Sequence, residues 1–168
     1  QLFDRYGIIG TFHLNSGLLD TRAIWNEGKP NEILQTYLSK DTLVHVFKNH
    51  EIAVHGTYHK ALVGLSDKEI LEEINVDIEN LTILSDRKIS SMAYAFGSTN
   101  DHVAEVIGTT PLTNARTTKS SYNFDLPEDY YLWNPTCHDS EALEYLEAYI
   151  SLDSPSLSLF YVWGHSWE

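Results

Sequence analysis

The sequence predicts an α/β fold built on one mainly parallel sheet or barrel. Three observations carry that expectation. Short apolar, β-branched runs alternate along the chain with segments of helical periodicity, an order that favours parallel strands with helices outside. A histidine pair, His55 and His59, follows the apolar run Ile52-Ala53-Val54, so polar chemistry sits at the C-terminal end of a strand, where such folds keep their active groups. Finally, 168 residues with 42% hydrophobic content suit a single soluble domain, residues 1–168, with a sizeable core.

Taken in order, Gln1 to Gly7 reads as the last turns of a helix closed by a C-terminal glycine. A strand is expected over 8–14, rich in β-branched and aromatic residues. Pro30 then opens a helix over Glu32 to Leu38, where Ile33, Leu34, Tyr37 and Leu38 fall at helical spacing. Thr42 to Lys48 fits helix and strand equally, and the strand over 51–55 leads into the histidine pair. Ser66-Asp67-Lys68-Glu69 is a capping box that opens a helix to about Leu84. Further strands are expected over 89–95, 114–118 and 157–163, and helices from Asn100 to Val106 and from Asp139-Ser140 to Ile150. No repeat, low-complexity tract or linker interrupts this order.

Charge and cysteine usage narrow the partners. Eleven basic against twenty-four acidic side chains give a net charge of −13, which argues against nucleic acid or an anionic membrane and for a neutral substrate. Cys137 is the only cysteine, so no internal disulfide forms. No apolar run approaches the roughly 18 residues that span a bilayer.

The chemistry concentrates in Asn49-His50-Glu51-Ile52-Ala53-Val54-His55-Gly56-Thr57-Tyr58-His59. Two imidazoles four residues apart on a short loop make half of a site for zinc or a similar divalent metal. With eight histidines in 168 residues, such spacing arises by chance about 0.4 times. One exposed and one core histidine is therefore the competing reading. Gly56 stands where a helical zinc-protease motif carries its general-base Glu, which removes that class. Tyr58, Tyr94, Phe96, Trp133, Trp163 and Trp167 cluster near strand ends, and flat rings there serve either a core or a sugar face. Trp133 and Tyr94 are the preferred sugar-facing candidates. His138 fits both a polar site group and an ordinary residue on the approach to a helix.

These motifs together resemble a polysaccharide deacetylase of the NodB-homology type, carbohydrate esterase family 4. Gly10-Thr11-Phe12-His13-Leu14-Asn15 is similar to the family's second strand, and His50 to His59 to its His-[Ser/Thr]-x-x-His metal motif. Met92-Ala93-Tyr94-Ala95-Phe96-Gly97 resembles its groove wall, usually Arg-x-Pro-x-Gly. The strand into Gly164-His165 resembles its final motif, and Asp129-Tyr130-Tyr131-Leu132-Trp133 matches its fourth motif loosely.

The resemblance implies an irregular (β/α) barrel and metal-dependent hydrolysis of N-acetyl or O-acetyl groups on a carbohydrate. It implies a divalent metal, zinc first, on His55 and His59, His165 as catalytic acid, and Tyr94, Phe96, Gly97 and Trp133 against the substrate. An extracellular or cell-envelope setting is implied in the same way. The family's Thr-Phe-Asp-Asp-Gly motif, with its base and third metal ligand, is expected upstream of Gln1. The chain is thus expected to lack the first barrel strand, to have little activity alone, and to expose a sheet edge that offers a route to oligomers. Ala93 in place of the family's arginine leaves a non-catalytic carbohydrate-binding or scaffold relative as the alternative.

Overall fold

The computed structural model describes residues 2–25, 27–153 and 156–165. Its elements are α1 (Leu2–Tyr6), β1 (Thr11–Leu14), β2 (Arg22–Trp25), β3 (Ile33–Thr36), α2 (Lys40–Val46), β4 (Glu51–Val54), α3 (Asp67–Ser85), β5 (Ser91–Ala93), α4 (Asp101–Ile107), β6 (Asn114–Arg116), β7 (Cys137–His138), α5 (Ala142–Ile150) and β8 (Val162–Trp163). Four strands form one parallel sheet in the order β1-β4-β5-β6. An isolated parallel bridge from Arg116 to Trp133 carries the wall onward, and β7 and β8 pair in parallel beyond it. Parallel strands with helical crossovers and site groups at the strand ends follow the expected plan. Among the described residues the sheet is open: β1 pairs only with β4, and β8 only with β7.

The core explains why these elements form. Ile52, Ala53 and Val54 of β4 are all buried, as a central strand covered on both faces requires. Against them pack Ile70, Ile74 and Leu81, which recur at helical spacing along α3, together with Met92, Val103, Ile107 and Ala115. The capping box at the start of α3 is complete, with Glu69 N–H donating to Ser66 Oγ at 3.4 Å and Ser66 N–H to Glu69 Oε2 at 2.8 Å. Asn100 caps α4, its Oδ1 accepting from Val103 N–H at 2.9 Å.

Three expectations are corrected. The helix expected over 32–38 is a strand: β3 pairs antiparallel with β2, Ile24 opposite Leu34 and Trp25 opposite Ile33. Ile33 and Leu34 are exposed and only Leu38 packs against the core, so a seven-residue helix there gains little from burial, and a helix that short does not hold by itself. The hairpin satisfies the same backbone groups across its ladder and beyond it, through Tyr37 N–H to Thr21 O at 3.1 Å. The strand expected over 157–163 is paired only at Val162–Trp163, and Leu157 lies open to solvent. The strand expected over 89–95 ends at Ala93 and turns into a 3-10 turn over Ala95–Gly97. Thr42 to Lys48 resolves as helix, within α2 and the turn after it. No described helix is long and apolar enough to cross a membrane.

Candidate metal centre and acid group

The site begins where β4 stops. Parallel pairing with β1 ends at Leu14 opposite Val54, and the ladder runs one step further as His55 N–H donates to Leu14 O at 3.0 Å. The buried Asp77 of α3 accepts from the same N–H at 3.2 Å and from Ser16 N–H at 2.8 Å. Asn15 clamps the turn from above, donating to His55 O at 2.8 Å and Gly56 O at 2.7 Å. Gly56 has φ +83°, which L side chains rarely adopt, and a Cβ there would stand 3.0 Å from Glu73 Oε1.

Beyond Gly56 the loop is held by α3. Thr57 donates twice to the carbonyl oxygen of Glu73, from its N–H at 3.1 Å and its hydroxyl at 2.8 Å. The Thr57 hydroxyl thus ties the loop to α3 and not to the backbone of its own turn. The Glu73 carboxylate accepts from Tyr58 N–H at 2.6 Å and lies 3.6 Å from the Lys60 ammonium. Glu73 is 2% exposed at its side chain, so its contact with the backbone is a shielded, charge-assisted bond.

This frame brings the two histidines together. His55 Nδ1 lies 2.8 Å from Ala93 O. A carbonyl only accepts, so that nitrogen carries the proton and Nε2 keeps its lone pair. His55 Nε2 and His59 Nε2 are 3.1 Å apart, a separation that fits one ion bound at the ~2.0–2.1 Å typical of zinc and imidazole. Burial pushes His55 down to about 4, against its bond to Ala93, with the charges of His59, Arg116 and His165 adding to the fall. His59 is lowered too, by burial and then His165, with Glu73 opposing. Both rings are therefore neutral near pH 7, the state that ligates a metal. Among the described residues no group of three or more His, Cys, Asp or Glu side chains could hold a metal ion.

Phe96 packs its ring 4.4 Å from that of His59. Both residues have left-handed backbones, φ +58° at Phe96 and φ +57° at His59, and a bulky residue held so marks strain of the kind that clusters at functional sites. Phe96 is 62% exposed, so its free face borders the pair. Gly97 follows with φ +64°, and a Cβ there would run into the Thr118 hydroxyl. His165 sits beyond β8, its ring 5.7 Å from that of Trp163 and 6.4 Å from that of His138. It lies close enough for its charge to depress both His55 and His59.

Other residues find different places. Tyr94 is a correction: it is 1% exposed, its hydroxyl donates to Tyr131 O at 2.8 Å, and burial pushes its pKa up to about 12. Its ring is core and presents no face to a sugar. Trp133 is half-buried between Tyr130 and Tyr161, each ring 5.4 Å away, on the wall after β6 rather than against the histidine pair. Asp129 caps a 3-10 turn, accepting from Tyr131 N–H at 2.7 Å. His138 Nδ1 accepts from Ser140 N–H at 3.3 Å, the role of a residue approaching a helix. Trp167 lies outside the described residues. Sequence reasoning gave no role to Glu73, Asp77, His13 or Arg116. A buried acid in a helix and a charged group in a strand are visible as anomalies of hydropathy, but only the fold shows what they face.

With this geometry in place, the comparisons are direct. The family profile for polysaccharide deacetylases matches residues 1–115. The chain belongs to the polysaccharide deacetylase family and carries its NodB-homology fold. Among solved structures, IcaB from Ammonifex degensii aligns with a TM-score of 0.70 at 12% identity, covering 90% of this chain and 65% of that one. A polysaccharide deacetylase from Bacillus cereus aligns with a TM-score of 0.55 at 18% identity, covering 67% of this chain and 31% of that one. A pseudoenzyme of carbohydrate esterase family 4 from Bacillus anthracis aligns with a TM-score of 0.50 at 16% identity, covering 68% of this chain and 35% of that one. The chain thus spans about a third of the length of its Bacillus relatives. No curated protein matches it in sequence.

Proposed function

We propose that this chain carries the metal-binding and acid groups of a carbohydrate deacetylase that hydrolyses N-acetyl or O-acetyl groups on a neutral or amino sugar. The observation that carries the reading is the convergence of His55 Nε2 and His59 Nε2 to 3.1 Å, with His55 fixed by the Ala93 carbonyl. A divalent ion there, zinc by the chemistry of two neutral imidazoles, supplies Lewis acidity toward the acetyl carbonyl and acidifies a water near neutral pH. The chain's own residues do the rest. The Ala93 carbonyl holds the tautomer of His55, Glu73 and Thr57 hold the loop that aims His59, and Phe96 offers its open ring to an apolar sugar face. His165 donates a proton to the departing amine or alkoxide. The acidic net charge of −13 suits a substrate without anionic groups.

The test is zinc-dependent release of acetate from acetylated amino-sugar oligomers by the natural polypeptide. His165→Ala is expected to lower the rate ~10²–10⁴-fold while zinc binding stays intact. Zinc and sugar binding without acetate release, from amide- and ester-linked substrates alike, overturns the reading. That result favours a non-catalytic relative, a possibility raised by Ala93 at the groove-wall position and by the likeness to the Bacillus anthracis pseudoenzyme.

A further inference from the structure

A cavity of about 320 Å³ opens between the loop after β6 and the segment after α5, and it shares no residue with the metal centre. Tyr122, Asn123 and Asp125 line one side, and Leu152, Leu157 and Ser158 the other. The two walls are pinned where Leu159 N–H donates to Phe124 O at 2.8 Å, and the rings of Tyr149 and Phe160 back that of Phe124 at 5.2 and 6.0 Å. Tyr122 is fixed with a left-handed backbone, φ +55°, its N–H donating to Thr136 O at 3.0 Å and its ring stacked on that of Tyr145 at 5.4 Å. Such backbone strain in a bulky residue clusters at ligand sites. Despite these ties Tyr122 is 52% exposed, and Leu157 is 77% exposed.

The polar groups on the lining are unspent. Asn123 Oδ1 accepts from Asp125 N–H at 3.2 Å, which leaves the Asn123 amide NH2 to donate. Among the described residues neither that NH2, the Asp125 carboxylate nor the Ser158 hydroxyl has a partner. An aromatic ring and a leucine cover the C–H face of a pyranose, while a carboxylate, a primary amide and a hydroxyl match the hydroxyls at its edge. The volume lies at the small end of the roughly 300–1,000 Å³ of ligand pockets, room for one sugar ring. A protein partner fits less well, since the core of such an interface excludes charge and Asp125 sits on the lining. Asp125 is also the only charged side chain on that lining, which admits a neutral sugar or a protonated amine and repels an anion.

We propose that this cleft is a second carbohydrate site, holding one hexosamine unit of the chain whose other units reach the metal centre. Its role rests on the deacetylase reading, which makes the ligand an amino-sugar polymer. Tyr122 and Leu157 take the apolar face of the ring, and Asp125 accepts from its hydroxyls or from an amine already freed of acetate. A grip away from the metal keeps a long chain on the protein between successive hydrolyses, and adds nothing for a single sugar unit, which occupies one place at a time.

The test titrates the protein with N-acetylglucosamine and with glucosamine, with glycerol as control, and reads the side-chain amide resonances of Asn123, assigned by their loss in Asn123→Ala. A saturable shift with a sugar and none with glycerol is expected. Asp125→Ala, which removes an exposed side chain without a partner, is expected to weaken binding about tenfold, as is Tyr122→Ala, while Tyr122→Phe keeps it. Affinity unchanged in Asp125→Ala, a shift that glycerol reproduces, or no shift with either sugar overturns the proposal. Tighter binding of glucosamine that fades with added salt assigns the site to the freed amine, and equal or tighter binding of N-acetylglucosamine assigns it to the acetylated unit. Acetate release, measured in parallel, keeps the two readings apart. Release without the shift refutes the second site alone, and the shift without release refutes the deacetylase reading alone. With both present, Asp125→Ala is expected to raise KM for the polymer severalfold at unchanged kcat, and an unchanged KM overturns the role in holding the chain.

Discussion

Glu73→Ala separates loop preorganisation from simple stability. The Glu73 carboxylate is the acceptor for Tyr58 N–H at 2.6 Å, in the middle of the loop that aims His59 at His55. Its approach to the Lys60 ammonium, at 3.6 Å with the lysine 57% exposed, adds little. Losing one shielded hydrogen bond to a charged group costs about 1.5–3 kcal/mol. If that energy holds the loop in its metal-ready form, zinc affinity falls roughly tenfold to a hundredfold, since 1.4 kcal/mol is a factor of ten. Leu81→Ala is the control, because Leu81 is fully buried and outside the loop, and its truncation costs about 2–5 kcal/mol of stability. The assay is competition for zinc against a chromophoric chelator, run beside thermal unfolding of each variant. Zinc affinity within twofold of wild type in Glu73→Ala, or equal loss in Leu81→Ala, refutes the argument.

Other outcomes follow from the same geometry. Gly56→Ala is expected to lose about 1–3 kcal/mol, from its left-handed backbone and the crowding of Glu73 Oε1, and chemical denaturation measures it. Asp77 is raised from 3.8 to about 6, chiefly by burial, with its bonds from Ser16 and His55 opposing. A carboxyl whose folded pKa lies above its unfolded value costs nothing below pH ~4 and its full penalty above pH ~6, at most about 3 kcal/mol. The stability of wild type relative to Asp77→Asn is therefore expected to fall as pH rises from 4 to 6, and a flat difference across that window contradicts the assignment. Phe96→Gly is expected to relieve backbone strain by about 1 kcal/mol or more in thermal unfolding, offset by its lost contact with the His59 ring.

Much of this was legible in the sequence where local signals and burial agree. The capping box at Ser66, the apolar run at Ile52-Ala53-Val54 and the spacing of His55 and His59 depend on neighbours in the chain, and the structure realises each of them. Ile33, Leu34, Tyr37 and Leu38 misled because their spacing is helical while Ile33 and Leu34 face solvent and only Leu38 packs against the core, so cross-strand bonds to β2 win. Tyr94 misled differently. Its position beside the groove wall suggested a sugar platform, but a tyrosine that reaches a backbone acceptor packs as core. Glu73 and Arg116 were illegible for a third reason: their meaning lies in contacts across 15 to 47 residues, with Tyr58 and Trp163, which only the assembled sheet and helices create.

The central claim is that His55 and His59 hold one divalent metal, and X-ray absorption of the zinc-loaded protein tests it most directly. Two imidazole nitrogens at ~2.0–2.1 Å from zinc are predicted, one lost in His55→Ala and one in His59→Ala. A zinc shell whose imidazole count and affinity are unchanged in both variants contradicts the account.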